Sequence, residues 1–257
     1  MSSFLPIAVL GTGPLATRIA THPDIVVAQP SSAAVVVHLT ADIGMITDQL
    51  AAGRNVVTAL PLEALPLDEI RTACYTGSST LRATGGFQSA VAARITRSLA
   101  VVTPDITRIE LIEEIDLPDD GIYPWNTVPA AALPGYYFAG LRVLEEAART
   151  GMRAEATGAV SEESGAVYTR GDRISYRSIR NPGVGTVPLR YRLVTTAAAG
   201  TSTATVDFHP TAGIHPAEHL TAVELLKALR PTCASEPGIA LRDLAITHLA
   251  PDERLRR

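Results

Sequence analysis

The stretch PIAVLGTGPLA, residues 6–16, joins a short apolar run to a glycine turn and the start of a helix. An apolar run of this length predicts a buried parallel strand. Gly11 permits a tight turn after the strand, Gly13 lets the backbone approach a phosphate, and Ala16 replaces a third glycine where helix meets strand. The predicted contacts with a dinucleotide pyrophosphate are Gly11, Thr12, Gly13 and Ala16.

Strands and helices alternate along the chain as far as residue 84. The predicted helices cover residues 15–21, 43–52 and 67–76, and the predicted strands cover residues 25–28, 34–39, 55–58 and 81–83. Such alternation indicates an α/β layer built on a parallel sheet. We therefore expect residues 1–84 to form a reduced, Rossmann-like dinucleotide-binding domain.

The adenosine side of this domain departs from the usual fingerprint. The fingerprint places an acidic residue about 20 residues after the first glycine, and this chain has Gln29 there. Gln29 offers hydrogen bonds to a ribose but no charge, and no arginine adjoins Ser31 and Ser32 to hold a 2′-phosphate. Only about five residues separate the two neighbouring strands, whereas a parallel crossover needs about 10–12. Either a helix is missing or one strand prediction is wrong, and the coenzyme is left open between NADP, NAD and none.

A different pattern begins after the glycine pair at 85–86. The predicted helices are 87–102, 134–151 and 216–229, and the predicted strands are 106–115, 154–160, 166–179, 187–197, 201–208 and 239–249. Strand 106–115 alternates apolar and charged residues, as expected where one sheet face is covered. We expect an α+β substrate and dimerisation domain at 85–212 with a mostly antiparallel sheet, and a helix and strand at 213–257 that return towards the first domain.

Composition and charge exclude several classes of protein. Hydrophobic residues make up 46% and charged residues 19% of the chain, which is typical of a globular protein. Its net charge is −4, and its only basic cluster is Arg254, Arg256 and Arg257, so a nucleic-acid surface is not expected. The sequence shows no export signal and no apolar run approaching about 18 residues. With two cysteines, the expectation is a reduced, cytoplasmic protein that contacts neither membrane nor nucleic acid.

Five segments are distinctive when taken together: GTGPLATRIA (11–20), VVVHLT (35–40), AAGRNVVTALP (51–61), ATGGF (83–87) and GIHPAEHLTAVELLKAL (213–229). They resemble the dihydrodipicolinate-reductase-like superfamily, and most closely the branch of 2,4-diaminopentanoate dehydrogenase and native amine dehydrogenases. The resemblance implies a Rossmann domain, an α+β domain and a homodimer. It also implies hydride transfer between NAD(P)H and an imine or amine.

The same resemblance is incomplete at the reacting centre. Dihydrodipicolinate reductases carry a His-His pair and a lysine after the strand that corresponds to 106–115, whereas residues 114–118 here read Glu-Ile-Asp-Leu-Pro. That particular reaction is therefore not expected. The amine dehydrogenase branch places an acid after its VVT strand, and Glu63 is the nearest acid here.

Polar and aromatic residues near the predicted strand ends are candidate ligand contacts. His38 ends a buried strand at the carboxyl edge of the sheet, where ligands of such folds bind. Thr40 and Thr58 are expected to flank the nicotinamide. The other predicted substrate contacts are Thr84, Gly85 and Phe87 at the domain junction, and Tyr123 and Trp125 in the proline-rich loop.

Asp116, Glu63 and His215 are the candidates for proton transfer. A carboxyl group in a dry pocket has a raised pKa and suits acid–base work, but Asp116 also fits a solvated sheet face, and His215 also fits a helix cap. No metal ligand set is predicted. Two functions stay open: an NAD(P)-dependent oxidoreductase for a small imine, amine or carbonyl compound, or a Rossmann-derived protein without redox activity. The latter is either a cofactor-independent cyclase or isomerase, or a non-catalytic dimer partner.

Overall fold

The structure, a computed structural model, describes residues 4–100, 106–119, 121–148, 156–159, 165–181, 187–198, 200–210 and 213–240. Its residues group into two compact units. Within the described ranges, the first contains residues 4–87, 122–135 and 217–240, and the second contains the remainder. Most of the predicted strand at 239–249 and the cluster Arg254, Arg256 and Arg257 lie outside the described residues.

The first unit contains a parallel sheet of six strands, as the alternating pattern predicts. Its strands are β1 (Leu5–Leu10), β2 (Ile25–Val27), β3 (Val35–His38), β4 (Asn55–Thr58), β5 (Thr80–Ala83) and, late in the chain, β12 (Gly238–Ile239). Its helices are α1 (Pro14–Ala20), α2 (Ile43–Ala51), α3 (Leu67–Gly77) and α6 (Pro216–Cys233). The strand order is β12-β5-β4-β3-β1-β2. Because β3 and β4 carry apolar side chains on both faces, they are buried almost throughout.

The short link between β2 and β3 has a simple geometric explanation. Val27 at the end of β2 and Val35 at the start of β3 both lie opposite Ile7 of β1, on its two sides. A crossover helix is needed when the chain must return along the length of a strand. Here β2 ends at the level where β3 begins, so residues 28–34 only have to cross one strand, a distance of about 10 Å. Both strand predictions are therefore confirmed, and the link contains no helix.

The second unit is built on a mostly antiparallel sheet, again as predicted. Its strands are β6 (Ile106–Ile115), β7 (Ala156–Ala159), β8 (Gly165–Arg170), β9 (Ile174–Arg180), β10 (Leu189–Ala197) and β11 (Gly200–Phe208). They lie in the order β11-β10-β6-β9-β8-β7, in which only β6 and β9 are parallel. The prediction of one strand at 166–179 is wrong, because the chain turns at Gly171, whose φ is +61°, and forms a hairpin.

Two helices accompany this sheet, α4 (Gly86–Ala100) and α5 (Leu133–Ala148). Helix α5 approaches the sheet closely at Gly140, where an added Cβ would stand 2.6 Å from Cε1 of Tyr176 on β9. One turn earlier, Tyr137 stacks on Tyr168 with ring centroids 4.5 Å apart and meets Tyr176 edge-on at 5.2 Å. Tyr137 thus belongs to the core of the second unit. No described helix combines the length and apolar character needed to span a membrane.

A fully buried carboxyl group lies at the centre of this core. Glu113 of β6 accepts hydrogen bonds from Ser178 Oγ at 2.8 Å, Tyr137 OH at 3.3 Å and Tyr176 OH at 2.9 Å, and also from Tyr191 OH. Burial raises the pKa of Glu113, and the bonds from Tyr191, Ser178, Tyr176 and Tyr137 oppose that rise. Burial also keeps the three phenols protonated, since it raises each of their pKa values well above normal.

The Glu113 cluster should make the stability of the protein depend on pH. Because the pKa of Glu113 is higher in the folded than in the unfolded chain, its contribution is fully present below the unfolded value, about 4.3. It is lost as pH rises through the folded value. We expect the free energy of unfolding of the wild type, relative to that of Glu113→Gln, to fall as the pH rises above about 4 and through the folded value. Urea unfolding across that range measures it.

Glu114→Gln provides the matched control, because Glu114 lies on the other face of β6, 3.7 Å from Arg190. A partly exposed pair at this distance contributes little to stability. This variant should keep the wild-type pH profile. A Glu113→Gln profile parallel to that of the wild type would contradict the raised pKa.

Candidate active site

The glycine turn at the end of β1 has the geometry of a phosphate cradle. Gly11 and Gly13 have φ angles of +138° and +96°, which side-chain-bearing residues rarely adopt. An added Cβ at Gly11 would stand 2.9 Å from Cβ of Leu39, so this glycine allows close packing onto β3. An added Cβ at Gly13 would have no atom within 4 Å, so the space beside Gly13 is open. Thr12 is exposed, and Ala16 is buried where α1 meets the sheet.

The turn lies where the strand order of the sheet reverses. From β1 the chain passes to β2 on one side and then to β3 on the other. Ligands of open α/β sheets bind beside the carboxyl ends of the strands at such a switch point. Leu10, His38 and Thr58 are level with one another across β1, β3 and β4. The sequence-predicted residues His38 and Thr58 are therefore brought to the same edge as the glycine turn.

Gln29 does not share that level. The last residue of β2 lies opposite Ile7 of β1, four residues before Gly11. Strand β2 therefore ends about 13 Å below the glycine turn, measured along β1. The Gln29 carbonyl accepts hydrogen bonds from the backbone N–H and the hydroxyl of Ser32, at 3.0 and 3.2 Å, so the chain turns there. The Gln29 side chain is exposed. The adenosine side is thus reduced by the early end of β2.

His38 is buried at the end of β3 and has a defined hydrogen bond on one ring nitrogen. Its Nδ1 lies 3.2 Å from the backbone oxygen of Thr40. Burial lowers the pKa of His38, and the Thr40 carbonyl and Asp42 oppose this effect only in part. The ring is therefore neutral at pH 7. Its Nε2 is buried and has no hydrogen-bond partner among the residues that the structure describes.

Thr58 and Thr84 connect the ends of β4 and β5. The Thr58 carbonyl accepts hydrogen bonds from the Thr84 N–H at 2.9 Å and from the Thr84 hydroxyl at 3.2 Å. The Thr58 hydroxyl accepts a bond from the Leu60 N–H at 3.1 Å. Gly85, with φ +70°, then turns the chain towards α4. These bonds fix the backbone at the sheet edge beside His38.

The aromatic residues of the proline-rich loop lie in the first unit. Tyr123 is 2% exposed and precedes Pro124 through a cis peptide bond. Trp125 packs against Phe87 with ring centroids 5.9 Å apart. The Trp125 indole N–H is buried and, within the described ranges, has no acceptor. Buried indole N–H groups ordinarily have a hydrogen-bond acceptor. The N–H of Trp125 is therefore an unusual, unused donor among the described residues.

Gln88, the residue after Phe87 on α4, is not among the site residues predicted from the sequence. Gln88 is fully buried, and both its amide oxygen and its amide nitrogen lack a partner in the part of the chain that the structure describes. The signal was present in the sequence, since Gln88 is a large polar residue among Phe87, Ala90 and Val91 in a helix with mostly apolar neighbours. A buried amide without partners is costly, which marks Gln88 as a candidate ligand contact.

Two of the three proton-transfer candidates lie together in the second unit. The backbone of Asp116, just after β6, and the backbone of Pro188 both hydrogen-bond the ring of His215, and the Asp116 charge acts on that ring as well. Burial nevertheless lowers the pKa of His215, so its ring is neutral at pH 7. A neutral imidazole beside a carboxylate can accept and return a proton. Glu63 is exposed on a 3-10 turn, Leu62–Ala64, in the first unit.

Within the described part of the chain, the predicted site residues form no metal site and do not line the cavity of the first unit. The described residues contain no group of three or more His, Cys, Asp or Glu side chains that could hold a metal ion. A shallow cavity of about 360 Å³ in the first unit is lined by Leu62, Leu67, Arg71, Tyr75 and residues 236–239. None of the predicted site residues lines this cavity.

Alanine substitutions at the two turn glycines should have different consequences. Gly13→Ala puts a Cβ into the open space beside the turn, so we expect it to remove dinucleotide binding. Its backbone, with φ +96° and ψ −176°, should cost about 1–3 kcal/mol of stability. Gly11→Ala adds a contact of 2.9 Å with Leu39, and we expect it to lower the unfolding free energy further. Chemical unfolding and coenzyme titration measure both effects, and undiminished binding by Gly13→Ala would refute the cradle.

Gln88→Leu should stabilise the protein, because it removes two buried polar atoms that lack partners. We expect the free energy of unfolding to rise by about 1–2 kcal/mol, and ligand binding to weaken. Gln49→Leu is the matched control, since Gln49 accepts a hydrogen bond from Arg54 at 2.9 Å and should lose stability when changed. A clear loss of stability in Gln88→Leu would mean that the amide is paired, for example through water.

Three solved structures with a similar fold are distant from this chain in sequence. Amine dehydrogenase from Mycobacterium smegmatis aligns over 93% of this chain and 95% of its own, with a TM-score of 0.65 and 13% identity. Dihydrodipicolinate reductase from Paenisporosarcina sp. TG-14, with dipicolinate bound, aligns over 95% and 99%, with a TM-score of 0.56 and 12% identity. GenD2 from gentamicin A biosynthesis, in complex with NAD, aligns over 97% and 88%, with a TM-score of 0.55 and 13% identity.

No protein-family model matches the sequence, and a search of curated proteins finds no match. At 12–13% identity the likeness to solved structures concerns the fold. It agrees with the six-stranded parallel sheet, its glycine turn and the second, mostly antiparallel sheet. The resemblance inferred from the sequence is thus confirmed at the level of the fold: the chain has a fold like that of the amine dehydrogenase, the dihydrodipicolinate reductase and GenD2.

Proposed function

We propose that the protein is an NAD(P)-dependent oxidoreductase that acts on a small imine, amine or carbonyl compound. The observation that carries the proposal is the open glycine turn at Gly13, located at the switch point between β1 and β3. A plain turn between strand and helix does not require two residues with positive φ, and a pyrophosphate does require backbone free of side chains. The unpartnered polar atoms of His38 and Trp125 give further support.

The described residues fit a nicotinamide coenzyme unequally along its length. Gly11, Thr12, Gly13 and Ala16 would hold the pyrophosphate, and Thr40 and Thr58 would flank the nicotinamide. The adenosine ribose would have only Gln29, which is exposed beside the early end of β2. When bound, the coenzyme supplies hydride chemistry, and the protein supplies binding and orientation.

We assign proton transfer to the pair His215 and Asp116. His215 is neutral at pH 7 and hydrogen-bonded at the backbone of Asp116, so its ring can take a proton while the carboxylate stabilises the resulting charge. Glu63 is a second candidate. The remaining substrate contacts in the proposal are His38, Thr84, Gly85, Phe87, Tyr123 and Trp125. The substrate class is suggested by the amine dehydrogenase and the dipicolinate-bound reductase of similar fold.

The early end of β2 bears on coenzyme choice. Discrimination between NAD and NADP depends on an acid at the ribose or an arginine at its 2′-phosphate. Gln29 is neither, so we propose that the protein binds both coenzymes with similar affinity. We extend the proposal to a homodimer in the cytoplasm, on the basis of the family resemblance and of the two-cysteine composition.

The shortened adenosine side also favours a second candidate function. A chain that no longer needs the adenosine half can lose the acid and the full-length β2 without losing its fold. Such a protein would be a cofactor-independent cyclase or isomerase, or a non-catalytic dimer partner. The same experiment distinguishes the two functions.

Titration with NADH and NADPH tests the proposal. Ligand at 100 times its Kd stabilises a protein by about 2.7 kcal/mol. We expect a rise of about 5 °C in the thermal midpoint with either coenzyme, and enhanced nicotinamide fluorescence. Gly13→Ala should show neither change. A wild-type midpoint that stays constant at millimolar concentrations of both coenzymes would rule out the redox function and favour the second candidate.

A further inference from the structure

The ring of His38 has one nitrogen in use and one unused. Its Nδ1 lies 3.2 Å from the carbonyl oxygen of Thr40. A carbonyl can only accept, so Nδ1 must carry the proton and donate. In a neutral imidazole the other nitrogen then has a lone pair and no hydrogen. Nε2 of His38 can therefore accept a hydrogen bond but cannot donate one.

This acceptor has no donor in the ranges that the structure describes, although His38 is 0% exposed. Protonation does not relieve the mismatch, because burial lowers the pKa of His38 more than Thr40 and Asp42 raise it. Buried polar atoms are almost always paired, so an unpaired one in a native protein calls for an explanation. A donor supplied by a ligand explains it.

The position of His38 indicates which part of a ligand would supply the donor. Dinucleotides bind across the switch point, with one half on each side of the first strand. Here the adenosine side is that of β2, and β3 and β4 occupy the other side. His38 ends β3, one strand away from the glycine turn, and is level with Thr58 of β4. It therefore belongs to the half of the sheet edge that faces the reactive end of the coenzyme.

We propose that His38 is a positioning residue whose Nε2 accepts a hydrogen bond from an uncharged N–H or O–H group on the nicotinamide half of the coenzyme. This inference rests on the proposed function. The fixed Nδ1–H form makes the position unfavourable for anions, because a phosphate or carboxylate oxygen would face the Nε2 lone pair. The nitrogen is shielded from solvent in the structure, so the coenzyme reaches it after the groups that cover it shift.

The nicotinamide half carries two kinds of suitable donor, the carboxamide N–H and the ribose hydroxyls. An analogue separates them. In the reduced 3-acetylpyridine analogue of NADH, a methyl group replaces the carboxamide NH₂, so the N–H donor is lost while the ribose is unchanged. Comparing this analogue with NADH in the wild type and in His38 variants shows which donor is used.

The variants are chosen to separate the lone pair from the shape of the ring. His38→Phe keeps a ring but removes the acceptor. His38→Gln restores an acceptor oxygen, and its NH₂ can still donate to the Thr40 carbonyl. His22→Phe is the matched control, because His22 follows α1 and, within the described residues, its ring accepts a bond from the Asp24 N–H.

We expect His38→Phe to raise the Kd for NADH about tenfold, as for one lost hydrogen bond. His38→Gln should stay within about threefold of the wild type, and His22→Phe should match the wild type. If the carboxamide is the donor, the wild type should bind the analogue about tenfold more weakly than NADH, and His38→Phe should not distinguish the two. Equal weakening of both ligands in His38→Phe would support the ribose hydroxyl instead.

A second measurement does not depend on the variants. In wild-type protein labelled with nitrogen-15, NADH should shift the Nε2 resonance of His38 in the direction expected for an accepted hydrogen bond. That result would support the proposal even if His38→Phe fails to fold. Wild-type affinity in a folded His38→Phe variant, or an Nε2 resonance unmoved at saturating NADH, would overturn it and leave the proposed function intact. Absence of NADH binding by the wild type would overturn both.

Discussion

The pairing of β1 on both of its sides at Ile7 determines the shape of the first unit. Because β2 stops and β3 starts at this one residue, seven residues replace the usual crossover helix. The upper half of β1, up to Leu10, then has only β3 as a neighbour. The glycine turn above it is consequently supported on the β3 side, by Leu39 against Gly11, and lacks a strand on the other. The unequal fit to a dinucleotide follows from this single register.

Much of the fold follows from local patterns in the sequence. Residues 6–16 predict the first strand, its turn and the helix, and the apolar runs predict β3 and β4. The short link between β2 and β3 remained ambiguous at the level of the sequence. Its length depends on the register of both strands against β1, and the sequence of a single strand does not determine its register. The prediction of a single strand at 166–179 failed for a related reason. Both arms of the hairpin have the same alternating pattern, and Gly171 is the one interruption.

The candidate site was predictable as a location, but its chemistry was not. His38 at the end of an apolar strand indicates the carboxyl edge of the sheet. The proton on Nδ1 depends on the Thr40 carbonyl, whose position is set by the turn after β3. Gln88 was overlooked because its neighbours fit an ordinary core helix. Glu113 alternates with Ile112 and Glu114, and the pattern alone did not decide which face is covered.

The carboxyl group of Glu113 joins β6, β9, β10 and α5 through Ser178, Tyr176, Tyr191 and Tyr137. Apolar side chains tolerate sliding and repacking, but directional bonds to one carboxyl group do not. A shift of β10 by two residues would place Leu189 or Leu193 opposite Glu113 instead of Tyr191, and the carboxyl group would lose that hydrogen bond. The hydrogen bonds among these five residues therefore favour one arrangement of the second sheet. A substitution at one of the five requires compensating substitutions at the others.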